Sequence, residues 1–403
     1  MSVFGPFIPD EARFPIGVAV SGGADSLCLA WLMRRWRRAV LALVVDHGLR
    51  EDSAAEATET AARLGALDIP SVILKLDSID RTGSLQKNAR IARYRALTEA
   101  CLARGILDLA LGHHERDQVE TFLLRQAHGS SPHGLAAMGL SRETPQLRYI
   151  RPLLEVAPER LRETLRHQGV RWIEDPSNRN PRFERVRIRL SLDEARYAQG
   201  RDQLALHARQ RNGRCMASAR VLTTLRIDPL GFAVMDSLPA DPALLGKLWQ
   251  VISGAAYPPS PASLEKLIAA PKPVTLGGAQ LCAAGRLGKN WLLVREPSAV
   301  VGRVAARPDV LWDKRFKLSC DLTESGMEIG ALGDAARHLR HHALPAIVLR
   351  GLPALWLGQE LIAVPQLGAF AAPQWARLTF SFAPAMLMSD SSFWPEYRET
   401  EKT

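Results

Sequence analysis

"AVSGGADSL" (residues 19–27) is where an apolar run stops and a helical one begins, and the reading of that break decides the fold. Pro15 to Val20 is apolar and strand-length, while "SLCLAWLMRRW" (26–36) has the mixed apolar and basic character of a helix. A strand that breaks into adjacent glycines and restarts as a helix reads as a cradle for an anion. Gly22 and Gly23 let main-chain N–H groups approach phosphate with no Cβ in the way. A helix beginning near Ser26 would aim its positive end at the same anion, and Ser21 and Ser26 add hydroxyl donors. The familiar nucleotide loop, G-x-x-x-x-G-K followed by Ser or Thr, is absent, because no lysine follows. Asp25 is the odd member, since a carboxylate beside phosphates repels them unless a cation lies between. An Asp–Mg²⁺–phosphate bridge resolves that conflict. The competing reading is a Gly-rich turn with Asp25 as an ordinary N-cap.

Outward from the loop, the first half alternates strand-like and helix-like runs. "AVLALVV" (39–45) precedes an Ala/Glu-rich helix around 54–64, and "SVILKL" (71–76) precedes a helix over 85–103. "ILDLALG" (106–112) leads into "ERDQVETFLLRQA" (115–127). Apolar strands separated by helices predict an α/β fold, a doubly wound parallel sheet covered on both faces. Such sheets bind ligands at the carboxyl ends of their strands. Three strands end in polar clusters, residues 21–26, Asp46-His47-Gly48 and His113-His114, which should converge on one crevice.

The arginine-rich stretch 179–192 opens a second region, with a helix to about Arg220, another over 243–254, a turn at 257–263 and a hairpin over 274–296. The last hundred or so residues suggest a small β-rich domain, with strands at 315–320, 346–358 and 361–365. The expected domains are therefore 1–190, catalytic and nucleotide-binding; 191–298, mainly helical with one hairpin; and 299–403, small and β-rich.

At 403 residues the chain needs more than one domain, and its 47% hydrophobic and 23% charged content is that of a soluble globular protein. A formal charge of +10 favours a polyanionic partner, although a solvated basic face gives the same total. Five scattered cysteines with no C-x-x-C spacing read as reduced thiols of a cytoplasmic protein, and exclude a disulfide framework or a zinc site. No apolar run approaches membrane-span length, and the N-terminal stretch lacks the basic segment and apolar core of a secretory leader.

In "HHERDQVET" (113–121) helical spacing puts His113 and Asp117 one turn apart and His114 three residues from Asp117. Asp117 then reads as a second magnesium or phosphate-side ligand, with His113 or His114 on phosphate or base. The plain alternative is a capped, solvated helix start. In "QKNARIARYRAL" (86–97) Arg93 could steady phosphate while Arg90 pairs with acidic neighbours. Glu174 and Asp175 of "EDPSN" could hold a substrate amine or only order their loop. Arg182, Arg185, Arg187 and Arg189 read as a phosphate-backbone surface; the last three share a face if the segment is a strand and spread if it is a helix.

The loop "SGGADS" resembles the PP-loop of the ATP pyrophosphatases. "VDHGLR" (45–50), "QKNARIARY" (86–94), "LGHHERDQVETFLLR" (111–125), "GLAAM" (134–138), "IRPLL" (150–154) and "WIEDPSN" (172–178) follow in order. Together, over roughly residues 14 to 190, they resemble the tRNA(Ile)-lysidine synthetases. The resemblance implies adenylation of the wobble cytidine of isoleucine tRNA with a CAU anticodon, then displacement of AMP by the amine of free L-lysine, with a nearby carboxylate or histidine as base. It implies ATP and Mg²⁺ as cofactors and leaves a homodimer open. On this reading Ser21, Gly22, Gly23, Ala24, Asp25 and Ser26 contact ATP, joined by Asp46, Arg93 and His113. Asp25, Asp117 and His114 are catalytic, Asp25 and Asp117 hold the metal, and Arg182, Arg185, Arg187 and Arg189 meet tRNA. The chain departs from the family pattern at Arg116, where an aspartate is common, and at His128, Asn180 and Val186. A tRNA thiolation enzyme is the alternative, disfavoured by the missing C-x-x-C. A metabolic synthetase would lack the arginine-rich segment, and a non-catalytic module would not need Asp25 and Asp117.

Overall fold

The computed structural model describes residues 1–48, 52–76, 85–174, 184–319, 325–339, 343–384, 386 and 388. The chain divides after Cys215 into two compact units.

The first unit runs β1 (Ile16–Val20), α1 (Ala24–Trp36), β2 (Val40–Asp46), α2 (Ser53–Ala66), β3 (Ser71–Lys75), α3 (Leu85–Leu102), β4 (Asp108–Leu111) and α4 (Glu115–Ala127). It continues with α5 (Pro132–Leu135), β5 (Ser141–Glu143), β6 (Arg148–Ile150), α6 (Pro158–His167), α7 (Glu184–Leu190) and α8 (Glu194–Leu222), the last crossing into the second unit. Its six-stranded sheet has the order β3-β2-β1-β4-β6-β5. Every pairing is parallel except β5 with β6. All five residues of β1 are buried. Alternate side chains enter opposite faces: Val18 and Val20 pack with Leu27 and Met33, whereas Ala19 joins Leu43, Leu109 and Leu111. That two-faced burial is why the strands read as continuous apolar runs. The chain builds β2 and β3 on one side of β1, then crosses to β4 on the other, so the crevice opens where β1 and β4 end.

The second unit contains β7 (Arg226–Asp228), β8 (Phe232–Met235), α9 (Pro242–Ser253), α10 (Pro261–Ala269), β9 (Val274–Leu276), β10 (Ala279–Ala283) and β11 (Trp291–Arg295). These strands form a sheet ordered β7-β8-β11-β10-β9. After it come β12 (Val304–Ala305), β13 (Leu311–Trp312), β14 (Phe316–Ser319), β15 (Met327–Ala331), α11 (Ala346–Arg350), β16 (Pro353–Leu357), β17 (Glu360–Val364), β18 (Ala369–Phe370) and β19 (Thr379–Phe382). They form antiparallel sheets β12-β15-β16-β17-β18 and β13-β14-β19.

Three expectations need correction. The hairpin expected over 274–296 is present in β9, β10 and β11, but 191–298 also holds β7 and β8, which complete a five-stranded antiparallel sheet and, at three and four residues, show no usable period. "AIVLR" (346–350) is helix and not strand: four apolar residues and an arginine fit either state, and Pro345 stands at the N-cap position before them. Finally, α1 begins at Ala24, inside the loop motif, not near Ser26.

Candidate active site

Loop geometry follows from two glycines and a serine pair. Gly22 has φ +84°, and a Cβ there would lie 2.5 Å from Thr60 Oγ1, so only glycine passes under α2. Its carbonyl accepts from the Ile173 N–H (2.9 Å), folding the segment before Glu174 onto the loop. The Ser21 N–H donates to Ser26 Oγ (3.1 Å), and that hydroxyl donates to the Gly23 carbonyl (3.1 Å). Gly23 is the N-cap of α1 and offers no side-chain acceptor, which leaves the first-turn amides without a side-chain cap and suited to an anion. Asp25 sits in that first turn with Oδ1 buried and unpartnered among the described residues.

Helix α4 forms the facing wall. Gly112, just after β4, carries the chain past Ser26, where an added Cβ would be 3.1 Å from the serine Cα. His114 is the N-cap: its Nδ1 accepts from the Asp117 N–H (3.4 Å), and Asp117 Oδ2 accepts from the His114 N–H (3.1 Å), a reciprocal capping box. This leaves Nε2 to carry the imidazole proton, 3.5 Å from Asp25 Oδ2 and 3.6 Å from Asp117 Oδ2. The imidazole therefore lies between the two carboxylates. Burial opposes its charged form, but the hydrogen bond to Asp25 and the charges of Asp117 and Asp25 outweigh it and raise its pKa.

Behind Asp117 lies Glu120, whose side chain is 0% exposed. Arg185 reaches Glu120 Oε2 through Nε (2.6 Å) and Asp117 Oδ1 through Nη2 (2.5 Å), while Arg189 Nε reaches Glu120 Oε1 (2.6 Å). Burial works against the Glu120 carboxylate, yet the two arginines hold its pKa below the ordinary value.

His113 behaves in the opposite way to its neighbour. Burial first, then the positive charges of Arg151, Arg90 and Arg185, push its pKa down to about 3, against an upward pull from Asp117. The imidazole is therefore neutral in the folded protein at neutral pH. The unfolded chain, with a histidine near 6.5, binds a proton that the folded chain refuses, so stability is lost as pH falls from 6.5 toward about 3. His113→Asn should remove up to about 1.4 kcal/mol per pH unit of that slope. Thermal unfolding of parent and variant across this window checks it; parallel curves would refute a neutral His113.

These walls enclose a cavity of about 590 Å³. Ser21, Gly23, Ala24, Asp25 and Ser26 line it on one side, His113, His114 and Asp117 on another, and Arg90 and Arg93 of α3 on a third. The three polar strand ends do not converge equally. Asp46 is buried behind the wall, its Oδ1 taken by Ser53 Oγ (2.5 Å) and the Gly48 N–H (3.1 Å), and the Ser53 bond lowers its pKa. His47 lines an adjoining cavity of about 380 Å³ with Val45, Ser53, Thr60 and Arg93. The stretch 184–190 is helix, which turns Arg185 and Arg189 together toward Glu120 and the cavity and leaves Arg187 on the exposed side. Arg182, and Asp175 to Asn178 of "EDPSN", lie outside the described residues. Glu120, Arg162 and Trp172 were not singled out from sequence; only the three-residue spacing of Asp117 and Glu120 hinted at the first. His128, one of the departures, pairs with Glu184 (3.1 Å).

Residues 4–195 match the PP-loop domain family. The tRNA(Ile)-lysidine synthase of Ruegeria pomeroyi is 32% identical over 381 residues, covering 88% of each chain. That of Brucella melitensis is 30% identical over 420 residues, covering 95% of this chain and 92% of its own. Among solved structures, U34-tRNA thiolase NcsA from Methanococcus maripaludis is similar at a TM-score of 0.41 and 15% identity, over 49% of this chain and 73% of that one, too distant to bear on function. A PP-loop domain, and identity sustained at this level over nearly the whole length, mean that the chain belongs to the tRNA(Ile)-lysidine synthase family.

Proposed function

We propose that this chain joins L-lysine to C2 of the wobble cytidine of isoleucine tRNA with a CAU anticodon, consuming ATP and passing through an adenylated cytidine. The observation that carries the reading is the single cavity in which the loop 21–26 faces the Asp25–His114–Asp117 array, in a chain of this family. The cytosine O2 attacks the α-phosphorus of ATP and pyrophosphate leaves. The lysine ε-amine then attacks C2, AMP leaves, and one proton is lost from the amine.

First-turn amides of α1, with Ser21 and Ser26, hold the phosphates. Arg93 adds charge from α3, where burial favours its neutral form and so strengthens its preference for an anion partner. Asp25 and Asp117 suit a magnesium ion: two carboxylates beside a phosphate site, with Asp25 Oδ1 buried and lacking a protein donor, match an ion that keeps waters and substrate oxygens as its other ligands. When bound, that ion would neutralise charge developing on pyrophosphate. His114 keeps the two carboxylates apart and oriented through Nε2. Neutral His113 serves as a hydrogen-bonding partner and is too weak a base to take the amine proton. Glu174, on the cavity wall, is positioned to receive the lysine ammonium. The adjoining cavity past Ser21 and Arg93 takes the adenosine end, its wall kept in place by Asp46 through Ser53.

Residues 1–190 form the catalytic part, and regions 191–298 and 299–403 grip the tRNA body, with exposed Arg187 on the phosphate side. No described helix is long and apolar enough to cross a membrane, and we place the enzyme in the cytoplasm. The test is pyrophosphate release by purified protein with ATP, Mg²⁺ and isoleucine tRNA transcript. Release should require lysine, and lysidine should appear at the wobble position. Turnover with glutamine or a sulfur donor in place of lysine would end this reading.

A further inference from the structure

Six arginines and three carboxylates line the main cavity, a surplus of positive charge that needs dividing among its anions. Arg185 and Arg189 are held by Glu120, and Arg90 and Arg93 come from α3 beside the glycine loop. Arg116 and Arg162 belong to α4 and α6, elements that contribute nothing to loop 21–26. We propose that Arg116 and Arg162 form a second anion grip, which holds the RNA sugar–phosphate backbone flanking the modified nucleotide and not the phosphates of ATP. The identity of that polyanion rests on the proposed lysidine-forming activity; the grip itself rests on the placement and partners of Arg116.

Arg116 occupies the first turn of α4, where the positive end of the helix dipole disfavours a cation unless an anion lies beside it. The one carboxylate at hydrogen-bond distance among the described residues is Glu159 Oε1, 3.2 Å from Nη2. With side chains 38% and 60% exposed, that pair is screened by solvent and weak, so a phosphate can displace it. Glu159 and Arg162 are three apart on α6, so Arg116 lies against the helix face that carries Arg162. The Arg116 guanidinium stands 5.7 Å from the Tyr197 ring centre, and Arg116 Nε is buried with no partner among the described residues. Burial, then Glu115, push the Tyr197 hydroxyl well above its ordinary pKa, which keeps it protonated beneath the guanidinium. Arg116 is thus an aimed, weakly neutralised fork at the cavity, suited to bidentate phosphate recognition. A single-stranded base that enters the cavity brings its own backbone phosphates to that edge.

The test is equilibrium binding of isoleucine tRNA transcript to the full-length protein across a salt series, with ATP affinity measured in parallel. Arg116→Ala and Arg162→Ala should each weaken tRNA binding about tenfold and reduce the log–log salt slope by about 0.7, while ATP affinity stays within twofold. Glu159→Gln should act in the opposite direction and tighten tRNA binding about threefold, because it releases Arg116. That variant keeps the proposal open to refutation should an arginine variant fail to fold. Parent-like slopes in both arginine variants, lost ATP affinity at unchanged tRNA affinity, or no gain in Glu159→Gln would each overturn the grip. Both readouts are binding measurements: parent protein that binds tRNA through Arg116 and makes no lysidine would unseat the proposed activity and leave the grip standing.

Discussion

Replacing Asp25 with Asn is expected to lower lysine-dependent pyrophosphate release about a thousandfold or more, while isoleucine tRNA binds within twofold of the parent. The substitution keeps the shape of the first turn of α1 and its backbone amides, the groups proposed to hold the phosphates. It removes a carboxylate whose Oδ1 is buried without a protein donor and whose Oδ2 faces His114 Nε2 at 3.5 Å. On the proposed function, what would be lost is charge stabilisation at the departing pyrophosphate, for which single preorganised groups are worth roughly 10²- to 10³-fold, and loss of a cation held by Asp25 would add to it. A chase of labelled ATP into pyrophosphate, with tRNA affinity in parallel, measures both halves. Turnover within tenfold of the parent would remove Asp25 from the chemistry.

Glu120→Ala should have the largest effect on stability, about 3 kcal/mol off the unfolding transition of the first unit. The Glu120 side chain has no exposure and accepts from both Arg185 and Arg189, so truncation leaves two guanidinium groups against a buried wall with one carboxylate fewer. Both arginines are about a third exposed, which is why the low end of the usual range for a broken buried pair applies. The sign of the pH dependence is fixed by the carboxylate. Its folded pKa lies below its unfolded one, so its contribution is fully present above the ordinary glutamate range and is lost as pH falls through the folded value. The gap between parent and variant should therefore be wide at pH 7 and narrow in acid. Calorimetric scans across pH test this; a gap under about 1 kcal/mol at pH 7 would mean that the arginines find other partners.

Much of the first unit was readable because its signals are local or strictly periodic. Five-residue β1 is buried on both faces, so every position had to be apolar, and the Gly-Gly break follows from the close passage of Gly22 beneath Thr60. The run His113-His114-x-x-Asp117 after an apolar strand placed these residues at one strand end, although the helix starts only at Glu115, so the helical spacing expected of His113 and Asp117 does not hold. The short strands β5, β7 and β8 were missed because three or four residues cannot display a period. Asp46 stands at the strand end where it was expected, and its bond to Ser53, seven residues on, could not be read from the sequence.

From sequence alone came the parallel α/β first unit, the glycine turn after its first strand and the presence of acids and histidines at neighbouring strand ends, since all of these are written in spacing and composition along the chain. Partner choice was decided only in three dimensions. Arg185 lies 65 residues from Glu120 in the chain yet 2.6 Å from it in space, and it also pairs with Asp117, two partners that its place in an arginine-rich run does not reveal. Two adjacent histidines received opposite pKa shifts because burial, helped by nearby arginines, opposes charge on His113, whereas the carboxylates on either side of His114 outweigh its burial. Electrostatic roles depend on distance and burial after folding, and those are set by how helices from distant parts of the chain pack around one crevice.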